Sequence, residues 1–124
     1  MEEYEIQAKL FKALMHPARL AILDILRGGE ECVCHMEAIL GYRQAYISQH
    51  LMVLREAQLV VDRRDGWNIF YRTTQPEIYT VLDAARQLIG MPVEVQIAAP
   101  ASCPCSHCQK TSEAIRINEE VSLS

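Results

Sequence analysis

The chain has 124 residues, half of them hydrophobic, and a formal net charge of −4. That length suits one compact domain with tails, a charged fraction of 23% argues against disorder throughout, and no apolar run reaches the roughly 18 residues that a membrane span needs. The opening MEEYEIQAKL is acidic where a secretory signal would be basic and then apolar, so the cytoplasm is the expected compartment and no membrane partner is expected.

Residues 4–14 place Ile6, Leu10, Phe11 and Leu14 at helical spacing, which predicts an amphipathic helix. Pro17 suits the first turn of a second helix, with His16 near its cap. That helix runs to about Arg27, buries Leu20, Ile22, Leu23, Ile25 and Leu26, and is ended by Gly28-Gly29. A short third helix is expected from Cys32 to Leu40, closed by Gly41, and a fourth over 44–57 with Ile47, Leu51, Val53 and Leu54 facing inward. The period then changes. Residues 59–64 and 67–72 are rich in β-branched and aromatic side chains and flank Asp65-Gly66, which predicts a hairpin. Pro76 opens a last helix to about Ile89, with Ile78, Val81, Leu82, Ala85 and Leu88 at core spacing. Beyond Pro92 periodicity is lost and Pro100, Ser102 and Pro104 break any helix. The expected organisation is a folded domain over 1–92 and a flexible, cysteine-containing tail over 93–124.

Two short helices joined by a glycine turn and followed by a hairpin describe a mostly α fold with a β-hairpin wing, a winged helix-turn-helix. The helix over 44–57 would lie in the major groove of double-stranded DNA. Gln44, Tyr46, Ser48, Gln49 and His50 carry hydrogen-bonding groups near its start, Arg43 stands at its entry, and Arg63 and Arg64 lie near the hairpin tip, within reach of phosphates or a minor groove. Local charge agrees with this. Residues 40–72 hold five arginines against three carboxylates, so the acidic balance lies elsewhere in the chain.

Five cysteines stand in two clusters, Cys32 with Cys34 and Cys103 with Cys105 and Cys108. An odd, clustered set points to metal binding or thiol redox chemistry and not to a disulfide scaffold. Cys105-x-x-Cys108 as the centre of a thiol enzyme would need a helix start within a βαβ pattern, which is missing here, and no catalytic triad or phosphate-binding glycine loop occurs. No enzyme activity is expected.

The segments KALMHPARLAILDIL (12–26), ECVCHMEAILG (31–41), QAYISQHLMVLREAQLV (44–60) and VDRRDGWNIFYR (61–72) occur in order, and together the chain resembles the ArsR/SmtB family of metal-responsive transcriptional repressors over roughly residues 5–90. The resemblance implies a symmetric homodimer built on the first and last helices, a palindromic operator, and release of DNA when an effector binds. The zinc-type site that the family places on its last helix is missing, because Asp83-Ala84-Ala85 lacks the histidine of Asp-x-His. Cys32 and Cys34 match the Cys-x-Cys of the arsenic, antimony, cadmium and lead sensors.

Thiolates select soft, thiophilic ions, so As(III) or Sb(III) is the expected inducer, with Cd(II), Pb(II) or Hg(II) as alternatives, and disulfide formation as a redox alternative. Residues i and i+2 on a helix point about 200° apart, so one ion between Cys32 and Cys34 is expected to unwind the first turn. Glu37 stands where some arsenic sensors have a third cysteine. Two arrangements therefore remain open: a tail cysteine completing the Cys32/Cys34 site, or Cys103, Cys105 and Cys108 forming a site of their own. His35 is expected to be solvated or capping, and His107 stands inside the tail cluster.

Overall fold

The computed structural model describes residues 1–92. The expected tail, with Cys103, Cys105, His107 and Cys108, lies outside the described residues. The elements run α1 (Glu2–Leu14), α2 (Pro17–Ile25), a 3₁₀ turn (Leu26–Gly28), β1 (Glu31–Cys32), α3 (Val33–Leu40), α4 (Gln44–Glu56), β2 (Val60–Asp65), β3 (Asn68–Thr73) and α5 (Glu77–Leu88).

Local chemistry sets the boundaries. His16 is extended and caps α2, its ring Nδ1 accepting the Ala18 N–H at 3.0 Å, while Pro17 fills the first helical position. On α4 the fully buried Ile47, Leu51 and Leu54 follow a four- and three-residue spacing and meet Ile22 and Leu23 of α2 and Met36 of α3. Leu59 and Val60 close the core from the strand side, and Ile78 and Leu82 from α5. One expectation fails here. Leu20 is exposed, since only one face of a nine-residue helix meets the core, while Val53 is partly buried and packs against the core.

The wing is a three-stranded antiparallel sheet in the order β1-β3-β2, where the sequence predicts two strands. The added strand β1 pairs Glu31 with Tyr71 and Cys32 with Phe70. The hairpin also turns one residue later than expected. Asp65 pairs with Asn68, which leaves Gly66-Trp67 as the loop. Gly66 has φ +62° and Trp67 does not share the positive sign, the pattern of a type II′ turn with glycine first.

Helix α5 is tied to α2 by polar contacts. The Tyr79 hydroxyl donates to the Leu23 carbonyl at 2.7 Å, so the Thr73 hydroxyl, also at 2.7 Å, donates to Tyr79. Arg27 reaches both carboxylate oxygens of Asp83, at 2.8 and 3.0 Å, and Asp24 at 3.2 Å, while Arg86 also pairs with Asp24. Of the five α5 residues expected at core spacing, Ile78 and Leu82 are buried, while Val81, Ala85 and Leu88 are exposed. Only one turn-to-turn stripe of α5 meets this domain's own core.

Candidate nucleic-acid interface and thiol cluster

Helices α3 and α4 form the helix-turn-helix. Gly41 ends α3 in the left-handed region at φ +72°, where its N–H donates to the Glu37 carbonyl at 2.8 Å. A side chain would be strained there. Arg43 then takes an extended N-cap conformation without a side-chain cap, so the first turn of α4 presents backbone N–H groups beside an exposed guanidinium. Gln44, Tyr46, Ser48 and Gln49 are all exposed on α4.

His50 is different. It is half-buried, its ring centroid 4.2 Å from that of His16 and 4.6 Å from that of Tyr46. Burial pushes its imidazole below the usual range, and the neighbouring His16 and Arg19 push the same way. Tyr42 stacks edge-on to Tyr46 at 4.9 Å, and the Tyr46 hydroxyl lies 3.5 Å from His16 Nε2.

The two wing arginines are also unequal. Arg63 forks onto Glu30, lies 4.8 Å from the Phe70 ring, and has its guanidinium held above its usual range by the Glu30 hydrogen bonds. Arg64 is exposed and makes no ion pair among the described residues. Trp67, fully exposed at the hairpin tip, joins Tyr42 and His16 as side chains that sequence reasoning did not place at this surface. A bulky aromatic beside the turn glycine was the available signal for Trp67.

Cys32 is buried in β1 and forms the N-cap of α3, its Sγ accepting the His35 N–H at 3.2 Å. Cys34, half-buried, packs against the same small cluster that Cys32 makes with Phe70. This corrects the expected helix start. Cys32 precedes α3 in an extended conformation, so the two cysteines share one cluster with the first turn intact, and the 200° separation of a continuous helix does not apply. Neither cysteine is in a disulfide among the described residues. His35 Nδ1 lies 3.8 Å from Glu31. Among the described residues no three His, Cys, Asp or Glu side chains are grouped to hold a metal ion. Asp83 is committed to Arg27, which holds its carboxyl below the usual carboxylate range.

A glycine-turned helix pair, a polar second helix and an arginine-bearing three-stranded wing define a winged helix-turn-helix DNA-binding protein. Residues 16–61 match the model of the bacterial regulatory proteins of the arsR family. The chain is 34% identical over 96 residues to an uncharacterized HTH-type transcriptional regulator, Rv0081, of Mycobacterium tuberculosis, covering 77% of this chain and 84% of that one. It is 41% identical over 87 residues to the biofilm growth-associated repressor of Agrobacterium fabrum, covering 70% and 74%. It is 45% identical over 76 residues to the arsenic resistance transcriptional regulator ArsR1 of Pseudomonas putida, covering 60% and 59%.

The fold is similar to the crystal structure of M. tuberculosis Rv0081, with TM-score 0.66 and 35% identity over 73% of this chain and 91% of that chain. It is also similar to a homodimeric winged helix-turn-helix DNA-binding domain from Mycobacterium bovis, with TM-score 0.62 and 29% identity over 72% and 82%. The chain belongs to the ArsR family, and it is a transcriptional regulator, not an enzyme. Among the described residues no helix is long and apolar enough to cross a membrane.

Proposed function

We infer that this regulator is a cytoplasmic repressor that binds operator DNA as a homodimer and is released when As(III) or Sb(III) binds Cys32 and Cys34. The observation that carries the reading is the position of Cys32. Its sulfur caps α3, the first helix of the DNA-binding pair, and its backbone pairs with Phe70 of the wing strand. An ion drawn between Cys32 and Cys34 competes for the capping sulfur and pulls on β1. One binding event therefore acts on both DNA-contacting elements.

The donor set fits a thiophilic ion in part. Two soft sulfurs share one cluster, and a trigonal site needs a third donor, for which Cys103, Cys105 and Cys108 are the candidates. Dimerisation is supported by the apolar side chains left exposed on α1 and α5, namely Ile6, Phe11, Val81 and Leu88. Operator contact falls to Arg43, Gln44, Tyr46, Ser48 and Gln49 on α4 and to Arg64 and Trp67 on the wing, with Arg63 and His50 contributing through the neighbours that hold them.

The test is operator release followed during titration with As(III), Sb(III), Cd(II), Pb(II) and Hg(II), and separately with peroxide. Release by As(III) or Sb(III) that is lost in Cys32→Ser and Cys34→Ser supports the reading. Release by Cd(II), Pb(II) or Hg(II) alone assigns the site to those ions. Release by peroxide alone, reversed by a reductant, assigns it to disulfide formation.

A further inference from the structure

The hydrogen-bond polarity between α2 and α4 is fixed by the backbone. His16 Nδ1 accepts the Ala18 N–H at 3.0 Å, so in the neutral ring Nδ1 is bare and the proton must sit on Nε2. Nε2 faces the Tyr46 hydroxyl at 3.5 Å. Its N–H can only donate there, which makes the Tyr46 oxygen an acceptor and leaves the hydroxyl's own proton to be donated elsewhere. Tyr46 makes no other hydrogen bond among the described residues, and it is exposed on the first turn of α4. Its ring is held edge-on by Tyr42 at 4.9 Å and His50 at 4.6 Å, so the hydroxyl is aimed as well as polarised.

We propose that His16 is a positioning residue for DNA recognition, locking Tyr46 as an outward hydrogen-bond donor to an acceptor on the duplex. The inference rests on α4 being the groove-reading helix. His16 sits outside the helix-turn-helix, at the cap of α2, and acts on recognition through Tyr46. A relay of this kind selects acceptors, such as a phosphate oxygen or a purine N7, and disfavours a base amino group at the same place.

The test uses the full chain and a duplex enriched by the protein from a randomised pool, with a random-sequence duplex of equal length beside it. His16→Asn keeps a side-chain oxygen for the α2 cap and removes the imidazole donor, and Tyr46→Phe removes the hydroxyl. Each is expected to weaken binding to the enriched duplex roughly three- to tenfold, and the double variant is expected to be no weaker than Tyr46→Phe alone. Nitrogen-resolved imidazole spectra of the unmodified chain are expected to show the neutral His16 ring carrying its proton on Nε2.

Additive losses in the double variant, or a proton on Nδ1, overturn the relay. If Tyr46→Phe binds like the unmodified chain while Gln49→Ala does not, α4 still reads DNA and the relay alone fails. If neither substitution changes binding, the groove-reading assignment fails with it.

Discussion

Arg63 is clasped by Glu30, Nε to Oε2 at 3.1 Å and NH2 to Oε1 at 2.5 Å, while its neighbour Arg64 makes no ion pair among the described residues. Successive strand residues face opposite sides, so two adjacent arginines meet different surroundings. Arg64→Ala is expected to lower the slope of log affinity against log salt by about one phosphate contact. Arg63→Ala is expected to change that slope less, and Glu30→Gln to raise affinity for random duplex by loosening Arg63. Filter binding over a salt series reads all three.

Trp67 is the chain's one tryptophan and is fully exposed at the wing tip. Its emission is therefore a direct reporter of the wing. Addition of duplex DNA is expected to change both intensity and quenching by iodide, and Trp67→Ala to leave the melting temperature unchanged while weakening DNA binding. Unaltered emission at saturating DNA would show that the wing tip stays in water.

The partial burial of His50, with His16 and Arg19 beside it, makes stability depend on pH. The folded His50 imidazole lies below the free value of about 6.5, so the unfolded chain binds more protons in that window. Stability from burying the neutral His50 ring is full above about pH 6.5 and is lost as pH falls through the lower, folded value. Denaturation midpoints are expected to drop on acidification through this range. His50→Gln is expected to flatten that drop, and an unchanged slope in the variant would sink the assignment.

Leu51 is fully buried in the core. Leu51→Ala is expected to cost about 3 kcal/mol, read as a lower denaturant midpoint with an unchanged m-value. Tyr79→Phe removes a hydroxyl that makes two hydrogen bonds and is expected to cost about 1–2 kcal/mol. Neither change touches α4's outer face, so DNA affinity of the folded fraction should hold.

Phe11→Glu tests the unpartnered apolar side chains of α1 and α5. Phe11 is half-exposed on α1, so a charge there costs the isolated chain little. A shift from dimer to monomer in sedimentation, together with weaker operator binding, is the expected result.

What the sequence determined by itself is the order of the helices and the hairpin, and the buried stripe of α4. The spacing of Ile47, Leu51 and Leu54 and the glycine at 41 are local signals, fixed by helical period and by φ, and they need no tertiary contact to be legible. The same holds for a hairpin near Gly66. Its register was not legible, because Asp65-Gly66 and Gly66-Trp67 are both sound turns and only the pairing of Asp65 with Asn68 chooses between them.

Strand β1 was hidden for a related reason. A two-residue strand has no period, and Cys32 becomes extended because Phe70 offers it a partner. That pairing is also what places Cys32 and Cys34 in one cluster without unwinding α3. The difference between Arg63 and Arg64, and the alignment of His16 with Tyr46 across 30 positions, are likewise long-range facts. Sequence supplies the side chains that could read DNA; packing decides which of them are held, which are free to reach out, and which way a shared proton points.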